Sequence, residues 1–193
     1  CLDCAFDASM TPKELNSLAA QIRFCYSVNK SSPHPCQLTA TSVWGTTLET
    51  LENVSGFDEW SNWAFNIASE SLEEHFRDKL SNIVYLTSDS DTVLNVLDNS
   101  KIYVIGGIVD RNRLRCAALN RATALGVATA RLPIDEHLQK MTATRVLTCN
   151  HVFELLLKSR DGTWKQGLLD VLPSRKEAKP LDEDHDKKQP ANH

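Results

Sequence analysis

Residues Lys101 to Arg113 carry the side chains and spacing best suited to chemistry. Their apolar, β-branched start reads as a buried strand. It ends in Gly106-Gly107, where a backbone without Cβ lets a ligand approach closely. One carboxylate, Asp110, follows, and then Arg111, Arg113 and Arg115. Such a set describes a small-cofactor pocket on one side and a polyanion contact on the other. Asp110 keeps two readings from its residues alone. It is either a catalytic carboxylate or a helix N-cap and arginine partner.

The elements that must position these residues are legible as a pattern. Thr11-Pro12-Lys13-Glu14 is a capping box with Pro at the first helical position. Leu15, Leu18, Ala19, Ile22, Cys25 and Tyr26 then repeat at helical spacing. Strands read at Gln37–Val43, Ile83–Leu86, Ile102–Val109, Ala128–Leu132 and Arg145–Thr148, with packed strand or turn around Trp60 to Ile67. Helices read at Thr47–Val54, Leu72–Leu80, Thr92–Leu97, Arg113–Leu125 closed by Gly126, Ile134–Gln139, Asn150–Leu157 and Trp164–Val171. Strands alternating with helices imply an α/β fold, a parallel sheet covered on both faces. Ligands in such sheets sit beyond the carboxyl ends of strands. Four loops lie there: Thr87-Ser88-Asp89, Gly106 to Arg113, Leu132-Pro133 and Thr148-Cys149-Asn150.

Composition narrows the class. The 193 residues suit one domain, and 41% hydrophobic content can build its core. No apolar run approaches the ~20 residues of a membrane span. The chain starts at Cys1, so it reads as a piece from which a targeting segment could have been removed. Net charge is -4, yet no acid falls between Arg111 and Ile134, where Arg111, Arg113, Arg115, Arg121 and Arg131 lie. A basic stretch on an acidic chain is either a phosphate footprint or a solvated helix face. Cys1 and Cys4 form a C-x-x-C with no second pair to complete a zinc site, and Cys25 and Cys149 read as core thiols. The expectation is a reduced, intracellular protein without structural metal. No G-x-G-x-x-G, G-x-x-x-x-G-K-[ST] or G-x-S-x-G occurs. Nicotinamide-binding Rossmann folds, P-loop NTPases and α/β-hydrolases are therefore disfavoured. His151 reads as a capping or packing histidine, His34 as part of a turn, and Trp164 as core.

Five segments together carry a family resemblance: Ile-Val-Tyr-Leu-Thr-Ser-Asp-Ser (83–90), Tyr-Val-Ile-Gly-Gly-Ile-Val-Asp (103–110), Ala-Arg-Leu-Pro-Ile-Asp-Glu (130–136), Arg-Val-Leu-Thr-Cys-Asn-His-Val-Phe-Glu (145–154) and Trp-Lys … Val-Leu-Pro-Ser-Arg-Lys (164–176). In order and spacing they resemble the tRNA purine-9 N1-methyltransferases, a branch of the SPOUT superfamily of knotted methyltransferases. Gln21 to Tyr26 with Asn29-Lys30 resembles that family's amino-terminal helix. The family's lysine-rich amino-terminal extension is absent from this chain.

The resemblance implies methyl transfer from S-adenosylmethionine to N1 of the purine at tRNA position nine, most readily guanine, leaving S-adenosylhomocysteine. It implies a cofactor pocket of Leu86, Thr87, Gly107, Arg111, Asn112, Arg113, Leu114, Arg115, Ala118, Leu132, Val146, Leu147 and Thr148. Asp110 becomes the general base. An ordinary carboxylate falls roughly five units short of guanine N1, about 7 kcal/mol, so nearby arginines and the sulfonium would have to help. The tRNA contacts would be Gln21, Arg23, Asn29, Lys30, Arg113, Arg121, Arg175 and Lys176, recognising shape and phosphate. Residues 1–80 would form the amino-terminal part of the catalytic domain, 81–176 the cofactor-binding region with a carboxyl-terminal trefoil knot, and 177–193 a disordered charged tail. The expected state is a monomer without metal or membrane, in nucleus or cytoplasm, with the mitochondrion open. Two rivals remain: a silent tRNA-binding protein of this fold, and a SPOUT enzyme acting on another RNA.

Overall fold

The computed structural model describes residues 1–110, 113–138 and 147–172. In chain order these form β1 (Leu2–Asp3), α1 (Pro12–Ser31), β2 (Leu38–Thr41), α2 (Gly45–Glu52), β3 (Phe65–Ile67), α3 (Leu72–His75), β4 (Ile83–Leu86), β5 (Ile102–Gly106), α4 (Ala117–Leu125), β6 (Ala128–Ala130), α5 (Ile134–His137), α6 (Cys149–Asp161) and α7 (Trp164–Val171). Short 3-10 turns span Asp7–Ser9, Phe57–Asn62 and Arg77–Asn82.

The six strands form one sheet in the order β3-β2-β1-β5-β4-β6, and every pairing is parallel. Parallel strands need crossovers, and the helices supply them on both faces. Leu2, Leu38, Leu86 and Ile105 pack on one face with Leu18 and Ile22 of α1 and Phe153 of α6. Ile83, Tyr85 and Val104 pack on the other with Leu72 of α3 and Ala122 of α4. A third cluster joins α5, α6 and α7 through Ile134, Leu155, Leu168 and Val171.

The expected capping box is present: the Glu14 N–H donates to Thr11 Oγ1 at 3.4 Å, and the Thr11 N–H donates to Glu14 Oε2 at 2.8 Å. Four expectations change. One of the sheet's two central strands is β1, a two-residue element too short for periodicity to show. Thr92 to Leu97 is not a helix: Leu94 N–H donates to Arg131 O at 2.9 Å and Arg131 N–H to Thr92 O at 2.8 Å. That pairing extends the edge beyond β6, and tertiary contact overrides a weak helical pattern rich in β-branched residues. Leu72 to Leu80 divides into α3 and a 3-10 turn with a non-helical break at Lys79. Helix α4 begins at Ala117 instead of Arg113 because Cys116 takes a left-handed φ of 57°. Of the strand expected at Arg145–Thr148, residues 145 and 146 lie outside the described residues, and Leu147 and Thr148 are not strand.

Candidate active site

The carboxyl ends of β4, β5 and β6 open into one cleft of about 190 Å³. Its wall carries Leu86, Thr87 and Asp89 after β4, Gly106, Ile108 and Asp110 after β5, and Arg131, Leu132 and Asp135 after β6. Leu114 and Cys116 come from the approach to α4 and Ala117 and Ala118 from its first turn, while Leu147 precedes α6 and Cys149 and Val152 lie in its first turn. The four loops expected to converge therefore do. Of the expected cofactor residues, Leu86, Thr87, Leu114, Ala118, Leu132 and Leu147 line the cleft.

Four others do not. Gly107 points into β1: its N–H donates to Asp3 O at 2.8 Å, and a Cβ there would meet that oxygen at 3.0 Å. The glycine is required by strand packing, while Gly106 is the one at the cleft. Arg113 turns away to Ser9 O at 2.8 Å and Glu14 Oε2 at 3.2 Å. Arg115 is exposed outside the cleft lining. Thr148 precedes α6, where its hydroxyl lies 2.9 Å from His151 Nδ1, so His151 serves the first turn of that helix. Arg111, Asn112 and Val146 lie outside the described residues.

Asp110 reaches the cleft and also shapes it. Its Oδ2 accepts from the Leu114 N–H at 2.5 Å, and its carbonyl accepts from the Arg113 N–H at 3.1 Å. The two readings left open for this residue thus coexist: the carboxylate closes the turn before α4 and lines the cleft. Cys149 Sγ donates to Gly106 O at 3.2 Å, and burial pushes its thiol up to about 11. It therefore acts as a packed donor.

Comparisons with known proteins agree. A family model described as tRNA (guanine(9)-N(1))-methyltransferase TRM10/TRM10A matches residues 1–177. The chain belongs to the TRM10/TRM10A family. The tRNA (guanine(9)-N1)-methyltransferase of Schizosaccharomyces pombe is 42% identical over 179 residues, covering 91% of this chain and 58% of that protein. The tRNA methyltransferase 10 homolog A of Xenopus tropicalis is 40% identical over 186 residues, covering 94% of this chain and 54% of that protein. The chain thus spans little more than half the length of these curated relatives. A crystal structure of full-length spTrm10 in complex with SAH superposes with a TM-score of 0.83 at 39% identity, covering 90% of this chain and 92% of that one. The parallel sheet with flanking helices is the SPOUT-type fold of that TRM10 structure.

Within this TRM10/TRM10A fold the expected tRNA contacts separate into two groups. Arg23 and Lys30 are exposed on α1, and Lys30 Nζ sits 4.9 Å from the ring centroid of Trp63, a cation–π contact. Gln21 and Asn29 are buried, which corrects their expected role. The Cys149 N–H donates to Gln21 Oε1 at 3.0 Å, so Gln21 satisfies an orphan donor at the start of α6. Asn29 brackets the turn after α1, donating to Cys36 O at 2.8 Å and accepting from the Cys36 N–H at 2.9 Å. Arg121 is corrected too: its guanidinium donates to Asp3 Oδ2 at 3.1 Å and to Glu73 Oε2 at 2.8 Å. Arg175 and Lys176 lie outside the described residues.

The basic stretch is therefore largely neutralised in space. Arg113 meets Glu14, Arg121 meets Asp3 and Glu73, and Arg131 meets Glu136 at 2.7 Å. Sequence reasoning placed Asp89 and Cys149 in the converging loops without giving them a role, and missed Arg131, Asp135 and Cys116 as cleft residues. Their loop positions were available as a signal, since all but Cys116 adjoin the quoted segments' strand ends or helix start. The buried Asp3 had none, because it sits in a strand of two residues. The six cysteines form no disulfide, and no group of three or more metal-ligating side chains occurs among the described residues. No helix among them is long and apolar enough to cross a membrane.

Proposed function

We propose that this chain is the catalytic part of a methyltransferase that moves a methyl group from S-adenosylmethionine to N1 of guanine at tRNA position nine. The observation that carries the reading is the cleft itself. It lies at the carboxyl edge of a sheet that superposes on an SAH-bound spTrm10.

The residues present fit the cofactor's chemistry. Leu86, Leu114, Leu132 and Leu147 offer apolar walls for an adenine, and the loop backbones beside Thr87 and Gly106 offer donors and acceptors. Asp89, Asp110 and Asp135 place carboxylates where a cation or a ribose diol can be met. When bound, the cofactor supplies an electrophilic methyl on a sulfonium.

The chain's own work is to orient guanine and manage its N1 proton. Position nine is stacked in folded tRNA, so exposing its Watson–Crick edge costs a few kcal/mol. Arg23 and Lys30 on α1 give phosphate contacts that offset part of that cost. Asp110 accepts the N1 proton as the N1–methyl bond forms, so that neutral N1-methylguanine leaves the site. Its bond to the Leu114 N–H keeps the carboxylate aimed from a fixed turn. A tRNA substrate implies a compartment that holds tRNA, nucleus or cytoplasm with the mitochondrion open, and the chain acts as a monomer. Residues 81–176 form the cofactor-binding region with the carboxyl-terminal knot.

Incubation with labelled S-adenosylmethionine and matched tRNA transcripts carrying G9 or A9, followed by nucleoside mapping, tests this. Label at N1 of G9 is expected. No transfer to any tRNA would sink the enzyme reading in favour of a silent tRNA binder. Asp110→Asn should lower the rate and change its pH profile; full guanine methylation across pH would remove the proton role.

A further inference from the structure

Helix α4 supplies Ala117 and Ala118 to the cleft wall, and its apolar contact with the sheet comes from small Ala122 with half-buried Ala118 and Leu125 beside it. Among its nine residues only Ala122 is fully buried. Alanine faces are smooth, so such packing leaves the rotation and height of a helix weakly specified. A different force must set them.

The strongest contact from α4 to the sheet is polar. Asp3 is 0% exposed in a central strand, and a carboxylate there needs several donors to offset desolvation. It has three: Arg121 Nε at 3.1 Å, Tyr85 O–H at 3.1 Å and Ser42 O–H at 3.4 Å. Ser42 holds a left-handed φ of 58° while it reaches that carboxylate. The far side of the Arg121 guanidinium meets Glu73 of α3, with Nη2 2.8 Å from Oε2 and Nη1 3.5 Å from Oε1. Arg121 lies three residues beyond Ala118, on the same helix face. Tyr85 O–H, at the other end of the network, lies 3.4 Å from where a Cβ on cleft residue Gly106 would stand.

We propose that Arg121 is a positioning residue for the cofactor cleft. Its planar fork clamps α4 between Asp3 and Glu73 and so sets the first turn of α4 as the cleft wall. A buried ion pair is a weak source of stability but a precise register device. The inference rests on the reading of the cleft as an S-adenosylmethionine site. It replaces the expected phosphate contact of Arg121 with an internal one.

Three variants of the full chain test it: Arg121→Met, Arg121→Lys, and Asp3→Asn combined with Arg121→Met. Calorimetry reads affinity for S-adenosylmethionine and S-adenosylhomocysteine, thermal unfolding reads stability, and filter binding reads tRNA affinity against salt. Both cofactor forms should weaken roughly tenfold in Arg121→Met, because the wall is no longer held ready for the ligand. Arg121→Lys should weaken them less, because the charge stays and the fork is lost. The double variant should regain melting temperature, since no buried charge is left unpaired, without regaining cofactor affinity. tRNA affinity and its salt slope should stay level throughout.

Cofactor affinity within twofold of the parent chain in a folded Arg121→Met would overturn the clamp. Cofactor affinity that recovers with melting temperature in the double variant would also overturn it, leaving a purely structural role. A lower tRNA salt slope with unchanged cofactor binding would restore the phosphate contact. Failure of the parent chain itself to bind either cofactor form would instead overturn the reading of the cleft, and the clamp's purpose with it.

Discussion

Helices α1 and α4 lie on opposite faces of one sheet and are held by different physics. Helix α1 buries Leu15, Leu18, Ala19, Ile22 and Cys25 at helical spacing and starts in a capping box. Helix α4 fully buries one alanine, packs Ala118 and Leu125 partly beside it, and is anchored by an arginine between two carboxylates. The first is stabilised by apolar area, a force that tolerates small shifts. The second is specified by directional bonds, which do not. The contrast suits the positions: α1 forms a broad core wall, and α4 sets one edge of a cleft.

The comparison breaks most readily at the core. Ile22→Ala removes a fully buried side chain and should cost about 2–5 kcal/mol in denaturant unfolding. Ala122→Gly on α4 should cost only about 1 kcal/mol. Equal losses would erase the distinction between the two helices. The two adjacent glycines offer a finer test. Gly107→Ala forces a Cβ against backbone at 3.0 Å and should lower stability by about 1–3 kcal/mol. Gly106→Ala meets Tyr85 O–H at 3.4 Å, so its melting temperature should fall less while cofactor affinity falls more. The reverse order would place the wrong glycine at the cleft.

Thr11→Ala, at the cap of α1, should cost about 1 kcal/mol, and a larger loss would mean α1 depends on local bonds after all. On the α4 side, partial burial pushes Glu73 up, but bonds from its own backbone and from Arg121 outweigh that and hold it below the usual carboxylate range. With a depressed folded pKa, its stabilisation is complete above about pH 4.3 and is lost as pH falls through the lower folded value. Half-exposed as it is, the pair should contribute below about 1 kcal/mol. Glu73→Gln should therefore flatten the acid limb of the stability profile slightly, and an unchanged limb would remove Glu73 from the clamp. The smallest effect is chemical. At pH 8 a thiol reagent should modify exposed Cys116 and spare Cys149, whose burial keeps it protonated. Labelling of Cys149 in the folded protein would show that the wall between α1, α6 and the cleft opens.

Local rules made several elements legible. The capping box and periodicity of α1 held, α7 runs over Trp164–Val171 as read, and Gly126 closes α4 with a φ of 65°. The loops after β4, β5 and β6 were placed at the cleft because parallel strands end on one edge. Charge was the poorer guide. Five arginines in a stretch with no acid between Arg111 and Ile134 looked like a phosphate footprint, but three of them meet acids brought in by folding. Arg121 and Asp3 are 118 residues apart.

The sequence by itself determined the helices with strong caps and periodicity, the alternation that makes a parallel sheet, and the family. Each depends on residues a few positions apart or on order along the chain. Tertiary structure alone decided that Leu2–Asp3 is a central strand, that Thr92 to Leu94 extends the sheet, and that Arg121 faces inward. Those outcomes depend on which distant groups share a low-dielectric space, where a charge takes the nearest partner whatever their separation in sequence.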